Sequence, residues 1–242
     1  MTSLKQRFNI SYVMVLLLAF IGGFLELYSY KTRGIYSCLQ SGNLISIFVN
    51  FNEGKDLIGV CNIVAFSTFF IGCFINQIFG NIFKEKKKNF ELFTLICMVI
   101  FISIVLCMPI NIDNTIPSIY DIVAVVFLAL FGSFQYCSFK IVSNTSYTTT
   151  MVTAMLKYSA SSLANAISKK DKNEFNLFIS YFLLIIVFLI GSLTFYCSYA
   201  FIEHDKLNFI IQMLPIVVLI VTLILMLLSS IEFKNIKVNQ EN

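Results

Sequence analysis

Glu26 and Gln135 are the residues whose surroundings most suggest chemistry, because each interrupts a long apolar run. They occupy matching places in two phrases 109 positions apart, Gly23-Phe24-Leu25-Glu26-Leu27-Tyr28-Ser29-Tyr30-Lys31 and Gly132-Ser133-Phe134-Gln135-Tyr136-Cys137-Ser138-Phe139-Lys140. Both read G-x-x-[E/Q]-x-x-S-[Y/F]-K. On a helix the Gly, the Glu or Gln, and the Ser recur at i, i+3 and i+6, along one face. A charged side chain at the centre of a membrane helix costs about 2.5–3.5 kcal/mol. Glu26 therefore either binds a proton, a cation or a polar solute, or pairs with nearby Lys31 or Arg33. A glycine one turn earlier lets a neighbouring helix come close. Two such stripes facing each other make a polar seam in which Glu26 opposes Gln135, flanked by Ser29 and Ser138.

The seam extends into the polar segments behind each phrase. The first contains Gln40-Ser41-Gly42-Asn43, where Gly42 permits a break or close approach and Ser41 and Asn43 supply donors and acceptors. A half-helix starting there would turn free N–H groups toward an anionic group. The second contains Thr149-Thr150-Met151-Val152-Thr153-Ala154-Met155, whose threonines either line the seam or bond back to their own helix. The candidate solute site is thus Glu26, Ser29, Ser41, Gly42, Asn43, Gln135, Ser138, Thr149, Thr150 and Thr153.

Catalysis has little support in the sequence. His204 is the only histidine and lies between Glu203 and Asp205, as a loop charge cluster does. No H-E-x-x-H, G-x-S-x-G or phosphate-gripping glycine loop occurs, so neither an enzyme, a metal site nor a cofactor is expected. The seven cysteines form no C-x-x-C pair and read as small apolar packing residues.

Positioning these residues falls to membrane helices. Apolar residues make up 58% of the 242 and charged ones 12%, about half the usual share for a soluble domain. Six stretches suit a bilayer core that takes roughly 20 helical residues: Phe8–Leu25, Leu57–Phe83, Leu92–Ile112, Ile122–Phe139, Phe175–Ile202 and Leu207–Ile231. The basic start Lys5-Gln6-Arg7 resembles a secretory signal, but no small-residue cleavage site follows, and the run reads as a retained span. Three spans, a linker at 109–117 and three more spans predict an all-α integral membrane protein of two inverted three-helix repeats, 8–110 and 118–232. Each repeat carries a re-entrant or broken polar segment after its first span, at 34–52 and 141–156. Lys157–Ser168 reads as an interfacial helix with Leu163 and Ile167 on one side.

With cytoplasmic termini, thirteen Lys and Arg residues fall on the inner side and four on the outer, the bias expected of a multi-pass inner-membrane protein. The run Lys84–Lys88 suits an anionic-lipid anchor, not a nucleic-acid surface. Lipid, a small polar solute and a coupling proton or cation are the partners expected, and a homo-oligomer is compatible with the sequence.

The two phrases resemble the YoaK-like family of small bacterial six-span membrane proteins, a domain of unknown function. Its first motif is similar to Gly23–Tyr30 followed by Tyr36 and Ser41-Gly42-Asn43, with Glu26 where the family has Asp and Ser41 where it has Thr. Its second is similar to Phe134–Phe139 and Thr149–Met155, with Ala154-Met155 in place of Gly-Asn. The resemblance implies the fold and no particular activity. Residues and resemblance together lead to the expectation of a transporter-like protein, the alternative being a membrane scaffold or partner-binding protein.

Overall fold

The computed structural model describes residues 2–85, 90–109, 118–139, 141–142, 145–146, 152–201, 215–217, 219–222 and 224. Seven helices order this part of the chain: α1 (Thr2–Arg33), α2 (Gln40–Asn52), α3 (Asp56–Glu85), α4 (Phe90–Leu106), α5 (Ile119–Ser138), α6 (Val152–Lys169) and α7 (Lys172–Phe201). A two-residue antiparallel ladder, β1 (Ile141–Val142) with β2 (Thr145–Ser146), follows α5.

Among the described residues, four stretches are long and apolar enough to cross a membrane: Tyr12–Arg33, Asp56–Lys84, Ile119–Ser138 and Lys172–Tyr199. Helix α4 is apolar but shorter, its Phe90–Val105 stretch falling below that length. It stops at Leu106 although the expected third span ran to Ile112, because Pro109 lacks an amide hydrogen and disfavours helix before it. Most of the expected sixth span lies outside the described residues; 215–217, 219–222 and 224 are helical. Helix α1 runs two turns past the expected end at Leu25. Nothing breaks it until Gly34, which closes it in the left-handed region at φ +68° with its N–H on Tyr30 O at 3.0 Å.

Other ends have equally local causes. Ser118 caps α5 by a capping box: its hydroxyl accepts from Asp121 N–H while the Asp121 carboxylate accepts from Ser118 N–H. Gly54, at φ +70°, turns the chain tightly from α2 into α3. Helix α6 begins five residues before the expected interfacial helix. Its buried stripe is Met155, Ser159, Ser162 and Ala166, whereas Ile167 is exposed. Met155 packs with Tyr181, Leu184 and Ile185 of α7, and the small Ser159, Ser162 and Ala166 face the same way, so packing against α7 decides the face.

The helices pack as two groups. Helix α1 lies along α7, which also carries α6; α3 lies along α5 and carries α2, and α4 packs on α5. Close approach rests on glycine. A Cβ at Gly191 of α7 would fall on the Phe20 carbonyl of α1, and one at Gly23 of α1 on the Phe188 carbonyl of α7. A Cβ at Gly72 of α3 would fall instead on the Ser133 side chain of α5. The groups join through one apolar cluster containing Leu18, Ile21, Phe24 and Tyr28 of α1, Met98 and Ile102 of α4, Leu128, Phe131 and Phe134 of α5, and Phe195 of α7.

Helices α1 and α5 run antiparallel across this junction. Arg33 at the end of α1 pairs with Asp121 at the start of α5, and Gln135 near the end of α5 donates from Nε2 to the Leu18 carbonyl, midway along α1, at 2.7 Å. The fifteen residues from Leu18 to Arg33 correspond to about 22 Å of helix.

Candidate functional site

Glu26 projects from α1 two turns before its end, and its partners come from the chain that follows. Residues 34–39 fold back along α1 instead of leaving it. Ser37 Oγ donates to Glu26 Oε2 at 2.6 Å, the Cys38 N–H to the same oxygen at 3.0 Å, and the Leu39 N–H to Oε1 at 2.8 Å. Helix α2 starts immediately afterwards, so the carboxylate sits at the positive end of that helix and needs no cation. Seven residues separate Glu26 from Arg33, so the loop dips about 10 Å back into the bundle before α2 begins.

The loop is held by its neighbours as well. Ser29, fully buried, accepts from the Ser37 N–H at 3.2 Å and donates to the Glu26 carbonyl at 3.0 Å. Asn43, also fully buried, accepts from the Tyr36 N–H at 2.8 Å and donates to the Tyr36 carbonyl at 2.8 Å and to Gln40 Oε1 at 3.0 Å. Gly42 leaves room for the Tyr36 ring, which stacks on Tyr30 with ring centroids 4.8 Å apart. Ser41 is exposed and takes no part.

The second phrase contributes its glycine. A Cβ at Gly132 of α5 would fall on the Ser37 carbonyl, so α5 gives the loop a flat backbone surface. Gln135 lies elsewhere: its partner Leu18 stands eight residues before Glu26, about 12 Å along α1. The expected opposition of Glu26 and Gln135 is therefore corrected, and the reason is register. With 33 beside 121 and 18 beside 135, a residue of α1 meets its own counterpart of α5 near position 22. Glu26 and Gln135 each lie four residues past that level, in opposite directions.

Ser138 belongs to a third place. Asn76 Nδ2 donates to its hydroxyl at 3.0 Å and Thr94 Oγ1 lies 3.1 Å away, tying α3, α4 and α5 together at the end of α5 remote from Asp121. Thr153 is exposed on the first turn of α6. Thr149 and Thr150 lie outside the described residues. Of the ten expected site residues, Glu26, Ser29, Gly42 and Asn43 come together.

Two features escaped the sequence reading. Ser37 completes the Glu26 cradle. Arg33, one expected partner of Glu26, instead forms a buried ion pair with Asp121. The Ser118-x-x-Asp121 spacing marks a helix start and could have located Asp121, but no local pattern announces its partner 88 positions earlier. Among the described residues, no group of three or more His, Cys, Asp or Glu side chains could hold a metal ion.

Neither a curated protein nor a solved structure matches the chain. Residues 14–230, spanning the cradle and both glycine contacts, match the family described as Protein of unknown function (DUF1275), and the chain belongs to that family.

Proposed function

We propose that the chain is a transporter-like protein that binds or moves a small polar solute at the seam between two inverted three-span repeats, in a bacterial inner membrane with both termini cytoplasmic. The observation that carries this reading is the Glu26 cradle. A carboxylate inside a helix apolar enough to cross a membrane holds a folded-back loop by three hydrogen bonds, while α5, from the other repeat, backs that loop. A re-entrant loop ending in a short helix at membrane depth is where carriers of inverted-repeat design place their solute and ions.

Further support comes from the antiparallel run of α1 and α5, and from the exchange by which the first helix of each repeat packs on the long third-position helix of the other. Gly72 and Gly191 fall at corresponding contacts in that exchange. The motif likeness to YoaK-like six-span proteins fits the same architecture. Protonating Glu26 turns one of its two acceptor oxygens into a donor and loosens the Ser37–Leu39 segment. A proton is therefore the coupling ion this cradle suits best, and the chemistry is non-enzymatic. In proteoliposomes, Glu26→Gln should abolish uptake driven by a pH gradient; undiminished pH-driven uptake in that variant would refute the role.

A second reading, a non-transporting scaffold, draws on the same hydrogen bonds. Ser29, Asn43 and Gln135 all spend polar groups on the protein's own backbone, as helix-joining residues do. The two readings differ in whether water reaches the loop, which native Cys38, half-buried beside Glu26, can report.

A further inference from the structure

We propose that one edge of the buried Arg33 guanidinium is an oxyanion site and that the solute is a small carboxylate. This rests on the transporter reading above and names its solute class. The Arg33 side chain is fully buried, and its Nη1 donates to Asp121 Oδ1. The opposite edge, Nε and Nη2, has no hydrogen-bond partner among the described residues. Those two nitrogens carry three N–H groups, and two of them point in parallel, a fork that matches the two oxygens of a carboxylate.

Among the described residues, no acceptor competes for that fork. The other Asp121 oxygen, Oδ2, accepts from the Ser118 N–H at 2.7 Å and from Ser118 Oγ at 2.8 Å. The start of α5 further offsets the Asp121 charge. The Asp121 carboxylate thus has stabilising donors of its own besides Arg33 Nη1, which lessens its repulsion of a second anion at the far edge of the guanidinium. A buried donor left unmet is costly, and more so on a charged group, so the fork is a feature that a solute oxyanion relieves when the seam opens.

A second orphan marks the same junction. Asn62 of α3 donates from Nδ2 to the Ile58 carbonyl at 2.8 Å, and its Oδ1 is buried without a partner among the described residues. The Ile58 side chain packs against Gly34, next to Arg33. The junction thus offers two or more donors for a carboxylate and one acceptor for a hydroxyl or ammonium group, where α1, α3 and α5 meet.

The test uses the full chain purified in detergent, titrated at constant ionic strength with acetate, succinate, inorganic phosphate and sulfate while the unfolding midpoint is followed. The midpoint should rise with the logarithm of carboxylate concentration. Arg33→Lys keeps a cation beside Asp121 but removes the fork, and should weaken the carboxylate at least about tenfold. An unchanged midpoint with every carboxylate, or an equal rise in Arg33→Lys, overturns the proposal. A rise confined to phosphate or sulfate overturns the carboxylate class.

Should Arg33→Lys fail to fold, labelling with phenylglyoxal gives an independent reading. The chain holds only two arginines, Arg7 and Arg33, so in Arg7→Lys the label reports Arg33 alone. Succinate should slow that labelling. Labelling that succinate leaves unchanged, or none at all, overturns the site. Carboxylate binding without vesicle uptake would instead sink the transport reading and leave the site standing, whereas uptake of a solute without carboxylate binding would do the reverse.

Discussion

Replacing Asn43 with Asp exchanges one heavy atom and turns a donor of two hydrogen bonds into an acceptor. In the native protein the Asn43 amide nitrogen donates to the Tyr36 carbonyl and to Gln40 Oε1, both acceptors, at 2.8 and 3.0 Å. In Asn43→Asp an oxygen faces those same acceptors. A charged form would bury a carboxylate against two partial negative charges; a neutral form recovers one bond and spends protonation energy. With two buried bonds disturbed at about 1–3 kcal/mol each, the expected loss is about 3 kcal/mol. Asn43→Ala, which strips both the N–H and the carbonyl of Tyr36 of their partner, should cost a similar amount.

If the loop opens on its own, 3 kcal/mol corresponds to a rise of roughly a hundredfold in amide exchange over residues 35–39. If it opens only with the whole fold, the unfolding midpoint should drop by about 6–12 °C, at 2–4 °C per kcal/mol for a chain of this size. Hydrogen exchange read by mass spectrometry on peptides covering 34–43, beside a thermal melt in detergent, separates the two cases. Ser41→Ala, at an exposed position in the same turn of α2, should change neither quantity. Native exchange and a native midpoint in Asn43→Asp would refute the claim that Asn43 holds the loop.

The remaining predictions concern packing and water. Gly191→Ala would drive a methyl group into the Phe20 carbonyl and should destabilise the fold by about 1–3 kcal/mol. Gly80→Ala meets only the Phe90 ring, at 3.5 Å, and should be neutral or stabilising by up to about 1 kcal/mol; equal melts for the two would contradict the helix contact. With the other six cysteines replaced, Cys38 should react with a charged thiol reagent, and a bound solute should slow the reaction. Complete protection of Cys38 would favour the scaffold reading.

The long helices were legible because their cause is local. Apolar runs such as 57–83 and 175–202 have no low-energy alternative in lipid, and α3 and α7 follow them within a few residues. The i, i+3 spacing of Glu26 and Ser29 was likewise readable, and both hold the same loop, whereas Gly23 of the same stripe faces α7 instead. Glu26 and Gln135 hold matching places in the two phrases, but the structure does not bring them together: Glu26 holds Ser37, Cys38 and Leu39, and Gln135 holds Leu18. Counterparts on antiparallel helices meet only where the helices cross, and that level is set by side-chain packing along the whole junction.

What the amino-acid order determined alone is which segments are helical and apolar, and which few residues carry polarity into them; both follow from propensity and burial within a window of some twenty residues. Only the tertiary structure decided where that polarity is spent. Glu26 is tied to Ser37, Cys38 and Leu39, Arg33 to Asp121, and Gln135 to Leu18. The last two bonds join positions about a hundred residues apart, and a hydrogen bond exists only where packing of the entire chain brings donor and acceptor within 3 Å or so.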